Sequence, residues 1–437
     1  MPEQRSSERQ SDVIVIGAGI AGVTAAAILA KRGLAVTILE ARDRVGGRGY
    51  ARNFADTEEV LDFGGAWITP WQERMRRLCR EHWVEVRSRI PVGERRYLRD
   101  GGLQREVTSA ADRPAHERAV ARIAADAILL KMGHAADEQG RSIARVSFAD
   151  YLDRVAPPQA TRDLLSAWWA VSGNADKTQA PAAELLMSSA YGDGLTDAMA
   201  DVWADTIVGG VSDLVTRMIA TSGARLVTTQ PVTAIRTSRD GVSVATSGEE
   251  PFAAKAAIVA TGLNPMRNIT FEPGLAAAKV AAIATGHLGR AVKVWAQVTG
   301  VPAGIMVTGG GGGIEWMFSE RESSDGTTML VGFGVAANGW TPDLPKDIES
   351  AVARFFPEAK VVATDWHDWN GDPYSLGAWV SAKVGAEAAT AAETWTREGP
   401  LAFASSDFAA EQAGWFEGAA VSGEAAAQEI LAFLGKN

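Results

Sequence analysis

With 437 residues, 46% of them hydrophobic, the chain can bury a large core and exceeds what one core usually organises, so two domains are expected. A formal net charge of -10 disfavours nucleic acid, whose phosphates need a basic face. A single cysteine, Cys79, excludes an internal disulfide framework or a multi-cysteine metal centre. The opening MPEQRSSERQSD lacks the apolar run of a secretory signal, and no stretch reaches the roughly 20 apolar residues of a membrane span, so a cytoplasmic protein without a membrane partner is expected.

From Asp12, DVIVIGAGIAGVTAAAILAKRGLAVTILEA runs apolar strand, glycine turn, small-residue helix and second strand, the βαβ start of a parallel sheet. The arginines between Arg74 and Arg105 are interspersed with Glu73, Glu81, Glu85 and Glu94, which predicts a solvated helix face and loop. A charged, helix-rich stretch covers 113–203. A helix and short alternating strands follow, with turns at Gly223 and Asp240-Gly241, and then the buried strand AAIVATG. The run TGGGGGIEW from Thr308 reads as a hairpin tip, because no Lys-Ser/Thr completes a phosphate loop. A strand, PLAFAS, and a small-residue helix close the chain. Nucleotide-domain pieces alternate with pieces of another character, so two interleaved domains are expected.

Gly17, Gly19 and Gly22 form GxGxxG between a strand and a helix. The first permits the tight turn, the second lets backbone approach a pyrophosphate, and the third lets helix pack on strand. The helix N-terminus, with Ile20 and Ala21 in its first turn, offers unpaired N–H groups to phosphate. Glu40 ends the next strand where a carboxylate accepts hydrogen bonds from an adenosine ribose. On this fingerprint alone FAD and NAD are both open.

EARDRVGGRGY, continuing from Glu40, resembles the flavin-containing amine oxidase family, in which Glu-Ala-x-x-x-x-Gly-Gly-Arg follows the second strand. The resemblance implies FAD, with Ala41, Gly47 and the arginines Arg42 and Arg48 along its pyrophosphate, where planar guanidinium groups suit phosphate oxygens. VLDFGGAWITP looks like the family's next flavin loop, placing Gly65, Ala66 and Trp67 beside the ring system, and TQPVTAI points to Val232 at the adenine. Near the C-terminus the family's Phe-Ala-Gly-Glu/Asp is FASSDF here. Ser406 and Asp407 can fill the polar role, while Ser405 replaces a glycine and calls the local backbone geometry into question. The fold implied is α/β, a Rossmann-like FAD-binding domain (1–85, 207–282 and 385–437) interleaved with a mixed α+β substrate-binding domain (86–206 and 283–384).

In this family the last helix points its N-terminus at the flavin, so Trp415 and Phe416 in GWFEGAA would stand at the ring. The segment DWNGDPYSLGAWVSA would contribute the first aromatic wall, Trp379, with Trp415 as the second. Two such walls exclude water and orient a neutral amine nitrogen, while hydride passes to flavin N5. Relatives that hold flavin covalently carry a cysteine just before the first wall. Ala378 stands there and Cys79 is elsewhere, so noncovalent FAD is expected. Along GRAVKVWAQV, alternation puts Lys293, Trp295 and Gln297 on one face. Periodicity leaves Lys293 equally solvated or functional, and the resemblance makes it the lysine that holds a water against the flavin.

His82, His116, His134, His287 and His367 lack ligand spacing, so no metal is expected, and no serine sits in a nucleophile elbow. The favoured function is oxidation of an amine to an imine that hydrolyses to aldehyde or ketone. A same-fold desaturase or protoporphyrinogen-oxidase-like enzyme, or a noncatalytic flavoprotein, is the alternative. Trp67, Trp71, Trp168, Trp169 and Trp316, among 14 tryptophans, could line a broad apolar pocket. That suggests a hydrophobic or ring-bearing primary or secondary amine rather than a polyamine. Oxygen and a protein electron acceptor are both compatible as oxidants, and a homodimer is compatible as well.

Overall fold

The computed structural model describes residues 10–190, 204–248, 250–309, 313–323, 325–337 and 343–436. The end of the helix-rich stretch, 191–203, and part of the glycine run, 310–312, lie outside the described residues.

Val13, Ile14, Val15 and Ile16 are almost wholly buried because the strand Gln10–Ile16 is covered on both faces, which is why it reads as a continuous apolar run. It pairs in parallel with Val36–Leu39 on one side and Phe252–Val259 on the other, aligning Val13 with Val36 and Ile14 with Ala257. Parallel strands Arg225–Val227 and Leu401–Phe403 extend this core, and Gly241–Thr246, Val232–Ser238 and Thr270–Glu272 complete an eight-stranded sheet. The helices Ile20–Lys31, Gly210–Ser222 and Phe416–Phe433 cover the face holding Val13, Val15, Ala256 and Ile258. Met266, Trp395 and Phe408 cover the other face.

The second sheet has seven strands, in the order Lys360–Trp366, Ala291–Thr299, Thr328–Val335, Ile314–Glu322, Ile305–Thr308, Glu94–Arg99 and Gly102–Gln104. Pairing is antiparallel except between Ile305–Thr308 and Glu94–Arg99. Val292, Val294, Ala296 and Val298 pack against the helix Leu344–Phe355. The opposite face, with Trp295, Trp316 and Phe333, packs under the helices Phe148–Val155 and Gln159–Ser172. Alternation along Ala291–Thr299 therefore separates two buried faces, and Lys293 is only 4% exposed.

The arginine-rich segment also departs from expectation. Arg74 and Arg77 on the helix Glu73–Glu81 reach Glu417 and Glu424 of the last helix, and Arg76 pairs with Asp205. Arg89 is buried over the Phe318 ring, 3.7 Å from Glu320. Its carboxylate partner lies more than two hundred residues away, beyond the reach of local charge counting. Among the described residues no helix is long and apolar enough to cross a membrane.

Candidate active site

A cavity of about 670 Å³ runs from the glycine turn, along the C-terminal ends of the parallel strands, to the face of the second sheet that carries Lys293. Its near end is shaped by glycines. Gly17 has φ +108°, and a Cβ there would lie 2.6 Å from the Ala260 carbonyl oxygen. Gly19 caps the helix Ile20–Lys31 without any side-chain bond to its amides, leaving backbone N–H groups for an anion. Gly22 does not line the cavity. A Cβ there would meet the Gly17 carbonyl oxygen at 2.1 Å, so this glycine serves the packing of helix on strand.

Glu40, Ala41 and Arg42 follow along the wall. The two Glu40 oxygens accept the Ala18 and Arg42 N–H groups at 2.8 and 2.9 Å, which fixes the carboxylate at the rim. Arg42 donates to Asp372 at 2.7 Å and Ser375 at 2.8 Å. Val232, Ile20, Ala21 and Gly47 also line this half.

Arg48 is the central clasp. It donates to the Ala378 carbonyl at 2.7 Å, Ser406 Oγ at 2.9 Å and Asp407 Oδ1 at 2.6 Å, joining three segments of chain around the cavity. Asp407 itself is fully buried and stands behind the wall, so its part is to hold Arg48 rather than to face a ligand. Burial alone would raise its carboxyl, but Arg48 and the Leu263 N–H together hold it below the usual range. Burial pushes His287 down to about 4, so that ring is neutral. Ser405 is accommodated easily: φ −162° is extended backbone open to any residue, and its Oγ accepts the Asp407 N–H.

At the far end Gly65, Ala66, Trp67, Lys293, Phe333, Trp379, Trp415 and Phe416 line one space. Lys293 Nζ donates to the Gly64 carbonyl at 2.9 Å and lies 4.4 Å from the centre of the Trp67 ring. Burial pushes its ammonium down to about 8, against the opposing pull of Asp62 and Glu320; burial likewise raises the Asp62 carboxyl. Trp415 caps the helix Phe416–Phe433 with no side-chain bond to the helix amides, so the positive end of this helix opens toward the cavity. That helix can lie on Ile20–Lys31 because a Cβ at Gly423 would be only 2.3 Å from the Ala21 carbonyl oxygen. At Gly65 a Cβ would meet the Phe416 ring at 2.4 Å.

Four of the five tryptophans named from the sequence do not line the cavity. Trp168 and Trp169 fill the core beneath it, Trp169 stacked at 4.1 Å on Phe148. Trp316 supports Phe333 from behind at 4.8 Å, Trp71 lies away from the cavity, and Trp67 alone of the five reaches it. Among the lining residues that escaped the sequence reading are Phe333, Trp369 and Glu184. Phe333 stands directly across the sheet from Lys293, a pairing that no local pattern displays. Ala378 lines the wall, while Cys79 is buried in the helix Glu73–Glu81, its thiol pushed up to about 11 by burial.

The cradle fits a long dinucleotide: uncapped helix amides and a glycine turn at one end, a clasped arginine midway, and an aromatic chamber with a buried lysine at the other. The family model for flavin containing amine oxidoreductases matches residues 20–431. The chain is 30% identical to (S)-6-hydroxynicotine oxidase of Paenarthrobacter nicotinovorans, an alignment covering 96% of this chain and 99% of that protein. It is 27% identical to putrescine oxidase of Kocuria rosea, over 97% and 95% of the two chains. The fold matches the structure of a putrescine oxidase bound to putrescine with a TM-score of 0.85 at 24% identity, covering 97% of this chain and 99% of that one. It also matches cyclohexylamine oxidase from Brevibacterium oxydans with a TM-score of 0.82 at 21% identity, over 97% and 99%. With its family model spanning the fingerprint helix, the clasp and the aromatic chamber, the chain belongs to the flavin-containing amine oxidoreductase family.

Proposed function

We propose that this amine oxidoreductase binds FAD noncovalently and acts on a hydrophobic or ring-bearing primary or secondary amine. The carrying observation is the chamber in which buried Lys293 shares one cavity with Trp67, Phe333, Trp379 and Trp415. The chemistry FAD supplies when bound is acceptance of a hydride equivalent from the carbon beside the substrate nitrogen; the imine left behind hydrolyses to aldehyde or ketone. Trp379 and Trp415 exclude water and orient the nitrogen between aromatic faces. Lys293, lowered toward neutrality by burial, holds a water or a proton at Nζ while the Gly64 carbonyl fixes its position. The uncapped amides of Phe416–Phe433 favour negative charge at the cavity wall. In this reading the parallel-sheet half of the molecule holds the cofactor and the seven-stranded half holds the substrate. Ala378, where a thiol would be needed for a covalent link, supports noncovalent binding.

The test is an anaerobic titration of the flavin absorbance with a panel of amines, followed by admission of air and a peroxide assay. Bleaching by ring-bearing amines at lower concentration than by putrescine or spermidine is expected. Rapid recovery with peroxide identifies oxygen as the acceptor, and slow recovery a protein acceptor. A bound flavin that no amine bleaches would overturn the reading, and a clear preference for putrescine or spermidine would overturn its substrate part.

A further inference from the structure

Most ionisable groups on the cavity wall are already matched. Arg42 and Arg48 have carboxylate partners, the Glu40 oxygens hold backbone amides, and Lys293 lies within the field of Asp62 and Glu320. Glu184 differs. It lines the cavity from the helix Ala183–Ala190 together with Met187 and Ser188, one face at helical spacing, while Leu185, Leu186 and Ser189 are buried on the other side. Its Oε1 accepts the Ala382 N–H at 2.9 Å, which places the carboxyl three residues along the chain from Trp379, near the aromatic wall. Among the described residues it forms no ion pair, and its Oε2 makes no hydrogen bond. The same cavity is also lined by Val171, Ser172, Met187, Trp379 and Val380.

A carboxyl held in such surroundings without a counter-charge is costly to ionise, and burial raises this one to about 7. By contrast, Glu320 has Arg89 beside it and Asp407 has Arg48. The Ala382 bond accounts for one oxygen only, and a neutral amide would satisfy that N–H equally well. We propose that Glu184 anchors a second, positively charged nitrogen of the substrate, so that among ring-bearing amines those carrying another basic nitrogen remote from the carbon oxidised are preferred. This rests on the amine reading above. The reacting nitrogen must be neutral between Trp379 and Trp415, whereas the remote one keeps its proton and supplies the missing counter-charge at Glu184.

The experiment uses the holoenzyme and a pair of amines sharing one ring and one reacting group, benzylamine and 4-(aminomethyl)benzylamine, in anaerobic titrations of the flavin band. Wild type should be half bleached at about tenfold lower concentration of the diamine, beyond the statistical advantage of its two equivalent ends. In Glu184→Gln, which keeps the acceptor for Ala382, that ratio should fall to the statistical factor of about two, the change lying in the half-saturation concentration and not in the limiting bleaching rate. Bleaching by both amines with a wild-type ratio no greater than about two, or a roughly tenfold ratio that survives in Glu184→Gln, overturns this inference alone. Failure of every amine to bleach the flavin overturns it together with the amine reading. Because the wild-type ratio is independent of any variant, a misfolded Glu184→Gln leaves the test standing.

Discussion

At Gly423 two helices whose N-termini both line the cavity are in close contact, and Gly423→Ala tests whether that closeness builds the cofactor site. The added Cβ would sit 2.3 Å from the Ala21 carbonyl oxygen and 3.1 Å from Thr24 Cβ, so the helices must separate by about 0.7 Å to reach even the 3.0 Å that real Cβ atoms respect. Overpacking of this kind costs about 1–3 kcal/mol, offset by up to about 1 kcal/mol from the better helix propensity of alanine. A net loss of about 1–2 kcal/mol is expected. Ala21 and Phe416 both line the cavity, so the same displacement misaligns both sets of helix amides and should weaken FAD binding by about tenfold. The assays are thermal release of flavin fluorescence and equilibrium titration of the apoprotein with FAD. Gly274→Ala is the control, since nothing lies within 4 Å of a Cβ there. If Gly423→Ala matches wild type in both assays, the close approach of the helices does not build the site.

Acid precipitation should leave all the flavin in the supernatant, because Ala378 offers no thiol and Cys79 is buried in a distant helix; yellow colour retained in the pellet would contradict this. Lys293→Met should lower the limiting rate of flavin bleaching by about a hundredfold and abolish a rise in kcat/KM centred near pH 8. The same residue has a stability signature. Its folded-state value is depressed below that of the unfolded chain, so the unfolded state binds more protons between about pH 8 and the ordinary lysine value of 10.5. Stability should therefore rise with pH across that window in wild type, measured by denaturant unfolding, and be flatter in Lys293→Met.

The fingerprint was legible because each of its glycines answers a local demand that no other residue meets, even though the atom that forbids a side chain at Gly17 belongs to Ala260, far along the chain. Strand and helix types in the first sheet were legible for a similar reason: a strand covered on both faces must be apolar throughout. Lys293 was ambiguous because alternation identifies two faces without saying what covers either. Both are covered, one by Leu344–Phe355 and the other by the tryptophan-rich helices. Arg89 was misread, since its partner Glu320 is close in space and remote in sequence. Glu184 carried no signal at all; a glutamate between alanine and leucine on a short helix reads as surface until the cavity beside it is seen.

The strand Leu401–Phe403 joins the first sheet beside Phe252–Val259, and the helix that follows it lies on Ile20–Lys31. This constrains the order of events during synthesis. The glycine turn leaves the ribosome early, yet Ser406, Asp407 and Trp415, which close the cradle from the other side, emerge hundreds of residues later. A nascent chain can display the nucleotide fingerprint throughout translation without a chamber to retain the ring. The cradle is thus complete only once synthesis has passed the helix Phe416–Phe433, which supplies the wall opposite the glycine turn.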